Sequence, residues 1–136
     1  MKKLYEADVV SKGGRSGHIK SSDGVLDMKV TFPKEMGGEG DGTNPEQLFA
    51  GAYAACFEQA LKHVAGLHNI KLDDTSVRAK VAVSEDESGA FNLSVKLEVT
   101  LIGCDQADKL IRLANAACPY SKAVKGNIPV DIELVD

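Results

Sequence analysis

Phe91, Leu93, Val95, Leu97, Val99 and Leu101 alternate without a break against Asn92, Ser94, Lys96, Glu98 and Thr100. A period of two predicts a strand with one buried face. Val77, Ala79, Val81 and Val83 repeat that spacing, with Arg78 and Lys80 between them. The polar, glycine-containing residues 84–90 join the two runs, so the pair predicts an antiparallel hairpin. Near the start, Tyr5, Ala7 and Val9 alternate with Glu6 and Asp8 until Gly13 and Gly14 break the pattern. Residues 18–21 and 25–32 predict two more strands, divided by the turn signal Ser22-Asp23-Gly24 and stopped by Pro33. Ile128, Val130, Ile132 and Leu134 predict a last strand after a turn at Gly126-Asn127.

Other segments carry helical signals. Asn44 suits an N-cap, Pro45 the first helical position, and Gln47 follows Asn44 at capping-box spacing. The helix is expected to reach about Leu67. Its residues 48–57 are apolar on nearly every side, which places Cys56 deep in a buried helix. A helix hydrophobic all round must be covered all round. One chain of 136 residues has little material for that, so a second subunit is expected to supply part of the cover. Asp105 is expected to cap a second helix bearing Ala107, Leu110, Ile111, Ala114 and Ala117. Cys118-Pro119 then breaks it and opens a short third helix through Val124. Hairpins mixed with helices, without regular alternation, indicate an α+β class.

Composition narrows the function. The length fits one domain over residues 1–136. A net charge of −4 and 5% aromatics argue against a basic, base-stacking nucleic-acid surface, so no nucleic-acid partner is expected. The longest apolar run is about half a membrane span, and the charged N-terminus has no apolar stretch behind it. No membrane association and a cytoplasmic location are therefore expected. The glycine-rich residues 37–43 lack the Lys-Ser/Thr ending of a phosphate loop and carry Glu39 and Asp41, which repel phosphate. They are expected to form a loop or hinge.

Three cysteines exclude a disulfide scaffold and leave candidates for metal binding or thiol chemistry. No cysteine or histidine pair has the close spacing of a zinc site, so no metal is expected. A reactive Cys56 needs something to lower its pKa. His63 is seven residues along the same helix, roughly 10 Å away and too far to pair; His68 is further. The helix start at Pro45 is roughly 16 Å upstream, beyond the reach of its dipole. The supporting cation must come from elsewhere, and Arg15 and His18 are both candidates. Cys118, at the predicted N-cap of the third helix, stands where thiols are acidified. Cys104 reads as a spare thiol in the turn Gly103-Cys104-Asp105. Glu46 reads as a first-turn acid favoured by the helix dipole, roughly 15 Å along the axis from Cys56.

Asn44-Pro45-Glu46-Gln47-Leu48-Phe49, Tyr53-Ala54-Ala55-Cys56-Phe57, Cys118-Pro119-Tyr120-Ser121-Lys122-Ala123 and Gly126-Asn127-Ile128 together resemble the organic hydroperoxide resistance (Ohr) family of the OsmC-like superfamily. Gly13-Gly14-Arg15 and Ser22-Asp23-Gly24 resemble its N-terminal pattern, so the likeness spans essentially the whole chain. Ser16, where the family usually has an acid, and the order Gly51-Ala52 depart from it. The resemblance implies an OsmC-like fold, with antiparallel sheets around a long central buried helix, in an intertwined homodimer. It implies a thiol peroxidase for alkyl and fatty-acid hydroperoxides. Cys56 takes the position of the peroxidatic cysteine and Cys118 that of the resolving one. Arg15 takes that of the activating arginine, and Glu46 that of the glutamate that holds it. No metal or organic cofactor is implied as bound. The implied reductant is a dithiol, a dihydrolipoyl group on a lipoylated protein. Phe49, Tyr53 and Phe57 are expected to give the substrate pocket an apolar surround. The competing expectation is a non-catalytic hydroperoxide-sensing or acyl-ligand-binding module on the same fold.

Overall fold

The computed structural model describes residues 1–135. Its backbone contacts divide the chain into two compact units, Met1–Leu48 and Phe49–Asp136.

In the first unit β1 (Val9–Lys12), β2 (Gly17–Ser21) and β3 (Asp27–Val30) form an antiparallel sheet in that order. A 3-10 turn at Gly14–Ser16 links β1 to β2 and carries Arg15. Gly13 enters it at φ 86°, the left-handed region that glycine adopts freely. Gly17 leaves it so close to β1 that a Cβ there would lie 1.8 Å from the Lys12 carbonyl oxygen. After β3 the chain passes a second 3-10 turn, Lys34–Met36, and the glycine-rich loop. Thr43 then ties that loop back to β3, its N–H donating to Lys29 O and its carbonyl accepting from Thr31 N–H, both at 2.9 Å. The Asn44 carboxamide oxygen accepts the Gln47 N–H at 2.9 Å and caps α1 (Pro45–Leu67) as expected.

The second unit contains the rest of α1, β4 (Asp74–Glu85), β5 (Phe91–Ile102), α2 (Ala107–Ala117), α3 (Pro119–Val124) and β6 (Val130–Leu134). β4 and β5 form the expected hairpin. Its register sets Val77 against Val99, Ala79 against Leu97 and Val81 against Val95, so the apolar faces coincide. Tyr53, Phe57, Ala60, Leu61, Val64 and Ala65 make one buried stripe along α1. That stripe joins Val95, Leu97 and Val99 of β5, Leu110 and Ala114 of α2, and Cys118 in one core.

Several expectations need correction. Tyr5 and Ala7 lie outside β1; Tyr5 is 79% exposed, so its alternation has no surface to bury against. The strand expected over 25–32 is only β3. The Ser21 hydroxyl accepts Leu26 N–H and donates to Asp23, folding residues 22–26 into a turn, while Thr31 leaves β3 to bond Thr43. The Gln47 side chain accepts from the Thr43 hydroxyl, leaving the capping box half made. Gln106, not Asp105, caps α2, with no side-chain cap bond. Ile128 precedes β6 because its N–H still bonds Val124 O at the end of α3. The sheets are antiparallel as expected except at β6, which pairs parallel to β5. Within this chain α1 is covered along one stripe only. Ala55 is exposed and Cys56 half-buried, not deep. Among the described residues no helix is long and apolar enough to cross a membrane.

Candidate functional site

Cys56 lies on α1, just before the core residue Phe57. Cys118 links α2 to α3. Its N–H closes α2 on Ala114 O at 2.8 Å, and its carbonyl opens α3 by accepting Lys122 N–H at 3.0 Å. Pro119 at the first helical position fixes that junction. The fold thereby brings two free thiols, 62 residues apart in sequence, to an Sγ–Sγ distance of 3.7 Å. This is hydrogen-bond reach for sulfur. A disulfide needs about 2.05 Å between sulfurs, so a small movement at this junction separates the two states. Cys118 is fully buried, whereas Cys56 keeps exposed surface in a recess of about 310 Å3 shared with Gln59, His63 and Pro119.

Burial pushes the Cys56 thiol above its ordinary value, and the neighbouring Cys118 sulfur adds to that shift. The Tyr120 backbone N–H, at the start of α3, donates to the Cys56 sulfur and partly opposes it. The second unit by itself thus holds Cys56 as a thiol. Any chemistry that needs the thiolate needs a cation as well.

Arg15 and Glu46 meet within the first unit and within one chain. The two guanidinium nitrogens donate to the two carboxylate oxygens at 2.7 and 3.1 Å, a half-buried two-point pair. Hydrogen bonding to Glu46 raises the Arg15 pKa further, so the guanidinium stays charged. The Gly13–Gly17 turn sets one partner and the Asn44-capped start of α1 sets the other. His18, the other candidate cation, pairs instead with Asp27 across β2 and β3.

The expected aromatic surround is only partly available to a ligand. Phe57 and Tyr53 are fully buried because they lie on the α1 stripe that faces β5 and α2; Phe49 keeps exposed surface. Sequence reasoning missed two contributors on α3. The Tyr53 hydroxyl bonds Ser121 Oγ at 2.7 Å, tying α3 to α1 behind Cys118. The Tyr120 ring packs against Tyr53 and Phe49 at centroid distances of 5.9 and 6.5 Å. The signal was their place in the segment Cys118-Pro119-Tyr120-Ser121, directly after a candidate cysteine. Cys104 packs at the edge of the core and contacts neither candidate thiol by hydrogen bond. Among the described residues no group of three or more His, Cys, Asp or Glu side chains is arranged to hold a metal ion.

Residues 38–133 match the model of the OsmC-like protein family. Over 134 residues the chain is 46% identical to the organic hydroperoxide resistance protein OhrB of Bacillus subtilis, an alignment covering 96% of this chain and 98% of that protein. It is 44% identical to the organic hydroperoxide resistance protein of Xanthomonas axonopodis pv. citri, over 98% of this chain and 96% of that one. The crystal structure of an organic hydroperoxide resistance protein from Legionella pneumophila superposes with a TM-score of 0.94 at 42% identity. That superposition covers 99% of this chain and all of that one.

Proposed function

The chain belongs to the organic hydroperoxide resistance (Ohr) family of the OsmC-like superfamily, and from that footing we propose that it protects against organic hydroperoxides by reducing them to alcohols with Cys56 and Cys118. The observation that carries the reading is the 3.7 Å approach of two free sulfurs, one accessible and one buried.

In this reading the Cys56 thiolate attacks the terminal oxygen of ROOH. The O–O bond breaks, Cys56 becomes a sulfenic acid, and the leaving alkoxide takes a proton to become ROH. Cys118 then attacks the Cys56 sulfur, expelling water and forming the Cys56–Cys118 disulfide before further oxidation. A dithiol reduces that disulfide by exchange and leaves as its own cyclic disulfide. A dihydrolipoyl group on a lipoylated protein is the proposed donor, and a homodimer the proposed working form. Arg15, held charged by Glu46, supports the thiolate and the developing alkoxide. The Cys56 chemistry needs that support, because burial favours the protonated thiol.

Steady-state consumption of cumene hydroperoxide with dihydrolipoamide tests the reading. Sustained turnover, one alcohol formed per dithiol oxidised, is expected. A single stoichiometric oxidation followed by no further consumption would assign the thiols to sensing instead.

A further inference from the structure

We propose that Tyr53 and Ser121 are positioning residues for the Cys56–Cys118 pair, their hydrogen bond holding α3 against α1 while the sulfurs close. The proposal rests on the peroxidase reading and deepens its resolving step. In that step the S–S bond forms and the S–O bond of the Cys56 sulfenic acid breaks. The hydroxide leaves with the Cys118 proton as water.

Each cysteine has one of the two hydroxyl residues three positions away. Tyr53 precedes Cys56 on α1, and Ser121 follows Cys118 in the first turn of α3. Residues three apart on a helix are neighbours on one face. The two helices are thus joined twice, by sulfurs at 3.7 Å and by hydroxyls at 2.7 Å. Among the described residues, these are the side-chain hydrogen bonds between α1 and residues 118–124. Tyr53 is fully buried and Ser121 is 7% exposed, so little solvent competes for the bond.

The other contacts of α3 fix it less firmly. The Tyr120 ring meets Phe49 and Tyr53 at 6.5 and 5.9 Å, and aromatic pairs tolerate centroid distances over about 4.5–7 Å. An O–H···O bond holds its atoms within about 2.5–3.0 Å. Ser121, Lys122 and Val124 border a cavity of about 460 Å3, which leaves α3 without packing on that side. Without the hydroxyl bond α3 has room to drift from α1. The sulfurs need the opposite movement, from 3.7 Å to about 2.05 Å. Holding the helices together lets Cys118 reach the sulfenic acid before a second hydroperoxide does.

The test compares the reduced parent with Tyr53→Phe, Ser121→Ala and the double variant under a fixed excess of cumene hydroperoxide. Mass spectrometry quantifies the Cys56–Cys118 disulfide and the Cys56 sulfinic acid. Each single variant is expected to raise the sulfinic-to-disulfide ratio about fivefold, the free energy of one hydrogen bond expressed as a ratio. The double variant should match the singles, because either substitution already breaks the same bond. Ser121→Thr keeps the hydroxyl, has the cavity to receive its methyl, and should restore the parent ratio. Equilibration in dithiothreitol buffers reads the same pair without hydroperoxide. There each single variant should have a reduction potential about 20 mV less negative, the same fivefold. Variants that melt lower but keep the parent's ratio and potential would overturn the proposal. So would single effects that multiply in the double variant. A parent that forms no disulfide with hydroperoxide would overturn the peroxidase reading itself, a failure distinct from variants that match an active parent.

Discussion

The two compact units keep their structure in different ways. The second buries a continuous core in which Tyr53, Phe57, Leu61, Leu97, Val99, Leu110 and Cys118 have almost no exposed surface. The first buries Val30, Thr43 and Asn44, while Val9, Val10 and Met28 of its sheet stay exposed. Its order rests on ladder hydrogen bonds, glycine-dependent turns and ion pairs. The chemistry divides along the same line. The thiol pair sits on the core of the second unit, and the Arg15–Glu46 pair on the polar scaffold of the first. Geometry between the sulfurs is therefore a packing property, whereas the charge pair is an electrostatic one, open to solvent and salt.

The largest effect should come from breaking the thiol side. Cys56→Ser is expected to abolish hydroperoxide turnover completely, measured as loss of cumene hydroperoxide; full activity in that variant would end the peroxidase reading. Cys118→Ser should spare one oxidation per chain, then accumulate overoxidised Cys56 detectable by mass.

Stability sharpens the same contrast. Leu97→Ala, in the middle of β5, should cost about 2–5 kcal/mol in urea unfolding through the cavity it leaves. Val10→Ala on the exposed first sheet should change stability by no more than about 0.5 kcal/mol if that sheet stays uncovered. A large loss at Val10 would show that another surface covers it.

The charge side is read by titration. Burial raises the Cys56 pKa, so the stability carried by its neutral thiol is present below the ordinary thiol value of about 8.5. It is lost as pH rises through the raised value. Arg15→Ala should move the thiol transition, followed by ultraviolet absorbance, to still higher pH. An unmoved transition would remove Arg15 from the mechanism. On the thiol side, Tyr53→Phe deletes the bond to Ser121 and should cost about 1 kcal/mol, between the Leu97 and Val10 effects.

What could be read from the sequence follows the same division. The hairpin was legible because β4 and β5 alternate against a real core, and α1 because Asn44 and Pro45 mark its start by local chemistry. The first strands were misjudged where alternation lacked anything to pack on, as at Tyr5, and where the Ser21 side chain made a turn that apolar Val25 disguised. Cys56 and Cys118 stood out by motif, but their approach across 62 residues is a tertiary fact that no local pattern encodes. Phe57 was expected at the pocket because apolar residues all round α1 hid which stripe faces the core. The parallel placement of β6 was equally invisible, since alternation fixes a face and not a direction.

The central claim is that Cys56 and Cys118 are partners in one redox step. Treat the reduced protein with one equivalent of cumene hydroperoxide, alkylate the remaining thiols, and map the products by mass spectrometry. A Cys56–Cys118 cross-link with Cys104 alkylated is the expected result. A cross-link through Cys104, or Cys56 oxidised to sulfinic acid with Cys118 still free, would contradict it.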